Sequence, residues 1–368
     1  MDPSPLPSLV LVTGANGYIG ASLVQSLLAQ GYKVRGTVRD ASNERKTGPL
    51  FSMENAATNL ELVSMDLSEP SETFLEIFKD VEWVFHVASP VTLEAEEAEN
   101  QEQKDTIIQS ARDGTLAMLR ASSDTSSVQR FVLTSSVAAI GEGHMDYGSR
   151  PLAEDNWSNM AGSNISAYGK SKTLEERAAW EFVEASNPEF SLSVINPSIV
   201  FGPLPTPETQ SSTVIISSLL QAQDFGIISS LLQLRDLGTI DLFTCIADIR
   251  DVVEAHIQAA KRPEAAGKRE MFLPDVAKIL KKEFGPMGYS IQDYPMPSSL
   301  AWFYSLVDAD LAALYPILGK EYHLCNIRSK SVLQLEYTPA EKTILDCAYS
   351  LIEHGIVEKK SGYVSRST

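Results

Sequence analysis

The chain has little cysteine, few basic residues and no long apolar run, and each shortage removes a class of function. Of 368 residues three are cysteine: Cys245, Cys325 and Cys347. They are far apart, odd in number and form no C-x-x-C pair. That argues against a disulfide framework or a zinc cluster and suits a reducing compartment. No stretch approaches the roughly 18 apolar residues that a membrane helix needs. Thirty lysines and arginines face 48 aspartates and glutamates, a net charge of −18. A chain this acidic repels phosphate backbones and anionic lipid, and no local basic patch offsets it. The opening MDPSPLPS has three prolines and no basic region, so it does not read as a secretory leader. The run Leu9–Val12 that follows is too short for a leader's apolar core and reads as a strand. The expectation is a soluble, cytoplasmic protein with no nucleic-acid or membrane partner and no metal.

What is present is an ordinary globular balance, 43% hydrophobic and 21% charged. Short apolar, β-branched runs alternate with helical patterns through the first two hundred residues, the signature of βαβ units and a parallel sheet. Candidate strands are Leu9–Thr13, Lys33–Val38, Leu60–Met65, Trp83–Ala88, Arg130–Thr134 and Leu192–Ile195. Most are continuously apolar, as strands covered on both faces must be. Helices are expected over Tyr18–Gln30, Gln103–Ser122, from Ala167 onward, and over Ala340–His354. In the third of these, Leu174, Ala178, Phe182 and Ala185 share one stripe. The segment Pro197–Thr213, with four prolines, reads as a long irregular loop. The pentamer SSLLQ, at Ser217 and again at Ser229, is a chance repeat. The acidic stretch Glu94–Glu102 reads as a solvated face. The expected fold class is α/β: a Rossmann-type doubly wound parallel sheet in residues 1–200, with a smaller C-terminal substrate lobe in 201–368. Some later segments return to the Rossmann core.

LVLVTGANGYIGASLVQSLL places Gly14, Gly17 and Gly20 between a strand and a helix. Glycines there allow a tight turn and close approach of a pyrophosphate to the helix N-terminus, with Asn16, Tyr18 and Ile19 in reach of the same ligand. The spacing is G-x-x-G-x-x-G, and the strand–loop–helix order gives it its meaning. About twenty residues on, the second strand ends KVRGTVRD. An acidic residue there suits the 2′-hydroxyl of NAD, an arginine the 2′-phosphate of NADP. Arg39 precedes Asp40, so the signal is mixed, and Lys46 adds a second cation; NADP(H) is favoured over the bland reading of surface charges. Asp66 closes the third strand, where it either meets the adenine amino group or caps the next segment.

The strand RFVLTSS ends in Ser135 and Ser136, and a helix some thirty residues later opens AYGKSK. Tyr168 and Lys172 are four apart and share one helix face. A phenol ordinarily titrates near 10, too high for easy proton exchange at pH 7, and a neighbouring ammonium lowers that value. A serine hydroxyl opposite can hold a substrate oxygen. Y-x-x-x-K alone is common on helix surfaces; its joint occurrence with the glycine loop and the strand-ending serines is specific.

TGANGYIG, HVASP, the TSS strand end, YGKSK, NPSIVFGP and DIRDVVEAH together resemble the extended short-chain dehydrogenase/reductase superfamily. Within it the chain is most similar to dihydroflavonol-4-reductase-like proteins, including fungal aldehyde, ketone and methylglyoxal reductases. The resemblance spans nearly the whole chain. It implies Tyr168 as proton donor, Lys172 as its electrostatic partner and ribose ligand, and Ser136 as the catalytic serine. It implies Arg39 and Lys46 at the 2′-phosphate, Asp66 and Leu67 at the adenine, Val87, Ala88 and Ser89 along the cofactor, and Pro197 and Ser198 beside the nicotinamide. One departure bears on substrate: plant flavonoid reductases carry asparagine five residues after the catalytic serine, where this chain has Gly141. His86, in an apolar strand, and His144, in GEGHMDYG, are read as structural.

The function expected is an NADPH-dependent carbonyl reductase. A nucleotide-sugar epimerase or dehydratase is the alternative on the same scaffold, but the loop Gly202–Thr213 has no basic residue for a diphosphate. A non-catalytic NADP-binding redox sensor is the other, and sensors of that kind lose the tyrosine–lysine pair. That loop, with Val214–Leu220 behind it, is expected to wall a pocket for an uncharged, mostly apolar aldehyde or ketone.

Overall fold

Apolar strands covered on both faces dominate the first half of the chain. In the computed structural model β1 (Val10–Thr13), β2 (Val34–Val38), β3 (Leu60–Ser64), β4 (Trp83–His86), β5 (Arg130–Thr134) and β6 (Ser191–Ile195) form one sheet. The structure describes residues 7–89, 101–144, 151–162, 164–207, 212–221, 241, 243–262, 269–306, 315, 318–321 and 323–366. All pairings in the sheet are parallel and the order is β3-β2-β1-β4-β5-β6. This is the doubly wound Rossmann arrangement, with its switch point between β1 and β4.

The continuous apolar pattern has a simple cause. Along β1, Val10 and Val12 enter one core and Leu11 the other, because successive side chains point to opposite faces. The first core is closed by α1 (Tyr18–Ala29) and, beyond α2 (Glu44–Phe51), by a later helix over Ile249–Lys261. The second is closed by α3 (Gln101–Ser123), whose Met118 and Leu119 are fully buried, and by α4 (Ala167–Ser186). β4 stops at His86 rather than at Ala88. The backbone N–H groups of Val87 and Ala88 leave the ladder and donate to Thr13 Oγ1, each at 3.0 Å.

Two expectations need correction. The proline-rich segment 197–213 is not wholly irregular: it holds β7 (Ile199–Phe201), and α5 (Thr213–Gln221) begins at its end. β7 pairs in parallel with β8 (Phe243–Asp248), which pairs antiparallel with β9 (Arg269–Phe272) in a second sheet. The stripe on α4 is also different. Ala178 is buried but Ala185 is exposed, and the buried face runs through Ser171, Lys172, Glu175, Glu176 and Ala179. A charged face is buried there because its partners are polar, as the site shows.

After β8 the chain returns to one face of the first sheet. α6 (Ile249–Lys261), capped by the Asp248 side chain, packs against α1, β5 and β6. The final helix, α7 (Ala340–Glu353), buries Ile344, Leu345, Ala348 and Leu351. Among the described residues no helix is long and apolar enough to cross a membrane. The second SSLLQ copy, most of Glu94–Glu102, Met145–Gly148 and residues 208–211 lie outside the described residues.

Candidate active site

The carboxyl ends of the strands open onto one cavity of about 810 Å³. Every site residue expected from the sequence lines it: Gly14, Asn16, Gly17, Tyr18, Ile19, Gly20, Arg39, Lys46, Asp66, Leu67, Val87, Ala88, Ser89, Ser136, Tyr168, Lys172, Pro197 and Ser198. The glycine turn is obligatory. Gly14 has φ +65°, and a Cβ on Gly20 would lie 2.1 Å from the Gly14 carbonyl oxygen. The N-cap of α1, Gly17, offers no side-chain cap and the first turn has no acidic residue, so its amide end faces the cavity uncompensated. Thr37, Asn43, Met65, Thr134 and Val200 line the cavity too and were not anticipated; Ser135, beside Ser136 at the strand end, and Ser212 line it as well. Most of the unanticipated residues sit at strand ends already recognised. Of the expected substrate wall 202–213, Ser212 is the described residue that reaches this cavity.

At one rim the charges are exposed. Arg39 and Lys46 both line the cavity, and the ambiguous Asp40 is already engaged: its Oδ1 accepts from Ser42 N at 2.9 Å and Ser42 Oγ at 2.6 Å. Those bonds hold its carboxyl below the usual range. Asp66 makes the cap that the sequence left open, and it also lines the cavity. Its Oδ1 caps the next turn by accepting from Ser68 N at 2.9 Å and Ser68 Oγ at 2.8 Å, which lowers its pKa.

At the other end the charges are buried. Lys172 Nζ donates to the Thr134 carbonyl at 3.1 Å and to Glu175 Oε2 at 2.9 Å. Burial opposes its charge, but Glu175, Tyr168 and Glu176 outweigh that, and its pKa is raised. Glu176 turns the other way: its Oε2 accepts from Asn196 Nδ2 at 2.6 Å, and the same amide group reaches the Ser136 carbonyl at 3.3 Å. Ser136 Oγ accepts from Ala138 N at 3.1 Å, which leaves its hydroxyl proton for a ligand. The consecutive carboxylates thus serve the lysine and the serine strand end respectively. Sequence reading missed both, because glutamate on a helix reads as solvent-facing; the available signal was the thin apolar stripe of α4.

His86 is a satisfied core residue, bonded to Thr13 Oγ1 (2.9 Å) and Thr115 Oγ1 (3.2 Å), and desolvation lowers its pKa to about 3. His144 Nε2 meets the Trp157 carbonyl at 3.1 Å and does not line the cavity. A Cβ on Gly141 would come 2.9 Å from Leu152 Cδ1, so that position faces a packed leucine.

The residues present fit a nicotinamide dinucleotide. The Ser89, Ser135 and Ser198 hydroxyls line the cavity, buried and without a hydrogen-bond partner, at places where a bound ligand would supply one. Residues 10–273 match the NAD dependent epimerase/dehydratase family. The chain belongs to it. Within this family, that of the extended short-chain dehydrogenase/reductases, it is an oxidoreductase. A cinnamoyl-CoA reductase from Medicago truncatula is 32% identical over 96% of this chain and 98% of its own. A bifunctional dihydroflavonol 4-reductase/flavanone 4-reductase from Pyrus communis is 32% identical over 75% of this chain and 76% of its own. The structure of yeast methylglyoxal/isovaleraldehyde reductase Gre2 complexed with NADPH superposes with a TM-score of 0.72 at 27% identity, covering 95% of this chain and 100% of that one.

Proposed function

We propose that this family member is an NADPH-dependent carbonyl reductase acting on an uncharged aldehyde or ketone in the cytoplasm, bound between the sheet edge and the lobe of residues 201–368. The observation that carries the reading is that Ser136, Tyr168 and Lys172 line the same cavity as the glycine turn and the Arg39–Lys46 rim. When bound, NADPH supplies the hydride to the carbonyl carbon. The chain's own residues handle the oxygen. Ser136 donates a hydrogen bond to it, Tyr168 gives it the phenolic proton as negative charge develops, and the Lys172 ammonium stabilises the phenolate left behind. Lys172 would also hold the cofactor's ribose. Asp40, spent on Ser42, leaves the rim to the two cations, which favours the 2′-phosphate of NADPH.

The relatives that act on carbonyl compounds support reduction over epimerisation. The packed Gly141–Leu152 contact weighs against a flavonoid, because no asparagine stands there to hold one. The test is NADPH consumption against neutral aldehydes and ketones, α-keto acids and a nucleotide sugar. We expect the highest kcat/KM for a neutral carbonyl compound; a charged substrate ahead of all of them would overturn the reading.

A further inference from the structure

The mechanism above uses Lys172 but gives no task to the carboxylate that grips it. Glu175 is 1% exposed, one helical turn from Lys172. Its Oε2 receives Lys172 Nζ at 2.9 Å and its Oε1 receives Thr115 Oγ1, from α3, also at 2.9 Å. A buried ion pair is tolerated only where good geometry and further hydrogen bonds offset desolvation, and this pair has both. The bonds beyond it all run one way. Val87 and Ala88 N–H donate to Thr13 Oγ1, so the Thr13 hydroxyl donates onward to His86 Nδ1. His86 therefore carries its proton on Nε2 and donates to Thr115, which donates to Glu175. The string starts at two residues of the cofactor wall and ends on the carboxylate that holds the lysine.

We infer that Glu175 is a positioning residue for the reduction: it fixes the Lys172 ammonium and, through Thr115, His86 and Thr13, ties it to the cavity wall at Val87 and Ala88. The inference rests on the proposed roles of Tyr168 and Lys172. The groups facing Lys172 are Tyr168, Glu175 and Glu176 on α4, His86 on β4, and the neutral Thr134 and Thr115 on β5 and α3. His256 on α6 lies behind Thr134, bonded to its hydroxyl at 2.7 Å. Burial holds both histidines neutral, so the two carboxylates set the local field. Without the Glu175 charge, the buried ammonium sheds its proton more readily and a phenolate at Tyr168 meets one negative charge fewer. Both changes move the basic limb of the reduction's pH profile to lower pH.

Glu175→Gln keeps the volume and leaves one acceptor oxygen for Lys172. Its kcat, KM and pH profile for carbonyl reduction should be measured, with NADPH binding by fluorescence as the check of fold. Expected are a kcat loss of about 10- to 100-fold, a basic limb lower by about one pH unit, and a carbonyl KM within about threefold of wild type. Thr115→Val, which cuts the string but spares the ion pair, should lower kcat less. Wild-type kcat and an unmoved limb in a Glu175→Gln protein that binds NADPH normally would overturn the inference. If that variant does not fold, wild-type kcat in Thr115→Val overturns it instead. Tyr168→Phe separates the two levels: if it stays active, the underlying mechanism fails. If it is inactive while Glu175→Gln behaves as wild type, only the role of Glu175 fails.

Discussion

Arg39, Asp40 and Lys46 stand in solvent at one rim of the cavity, whereas Lys172, Glu175 and Glu176 at its other end are almost wholly buried. The rim charges act one at a time across screened water, so each can be exchanged with small effect on the fold. The buried charges are interlocked through Thr115, Thr134 and Asn196, so removing one strands another. Under the proposed roles, cofactor preference is adjustable separately from chemistry, while chemistry and stability are joined.

The strongest way to break that contrast is to compare two substitutions one turn apart. Tyr168→Phe should cut kcat by about 10²- to 10⁴-fold with NADPH affinity and urea midpoint unchanged. Lys172→Ala should abolish turnover and also destabilise the fold by about 3–5 kcal/mol, because Glu175 is left buried without its counter-ion. Equal stability of the two variants would undo the claim that chemistry and fold are joined there.

Acid gives a smaller effect per residue. His86 and His256 are buried as neutral imidazoles, with pKa values lowered to about 3 and about 4. The unfolded chain takes up protons near 6.5, so this stability is complete above that pH and is lost as pH falls towards 4 and then 3. The slope approaches about 1.4 kcal/mol per pH unit for each histidine. Urea unfolding followed from pH 7 to pH 4.5 should show it, and His86→Asn should roughly halve the slope, leaving the share of His256.

The smallest effect belongs to the rim. Arg39→Gln should weaken NADPH binding by about 3- to 10-fold and leave NADH nearly unchanged, as read by fluorescence titration of both. Equal losses for the two cofactors would remove Arg39 from the 2′-phosphate and take the contrast with it.

What the sequence made legible follows the same division. Strands such as VLVT and RFVLT are apolar at successive interior positions, Val10–Val12 and Phe131–Leu133, because both faces are covered, and that pattern needs no partner to be seen. The glycine turn and Y-x-x-x-K are local spacings within one element and its neighbour. Glu175 and Glu176 were invisible because their burial depends on Thr115, one helix earlier, and Asn196, one strand later. β7 was hidden differently: Ile199–Phe201 is three residues between Pro197 and Pro203, too short for alternation to register. Its identity as a strand comes from β8, more than forty residues on, which no window over the prolines contains.

The Tyr18 hydroxyl, in the first turn of α1, donates to the carbonyl of Gly202 at 2.8 Å, across 184 residues of chain. Gly202 has φ +129°, and a Cβ there would press on Ile249 Cγ2 at 2.7 Å, so the backbone at this joint has little room to change. The helix whose amide end faces the cavity is thus fastened to the chain just after β7. A neutral hydrogen bond contributes about 1 kcal/mol net, roughly twice thermal energy. A bond of that size favours the joined arrangement about fivefold over the parted one, so it biases the backbone at Gly202 without locking it.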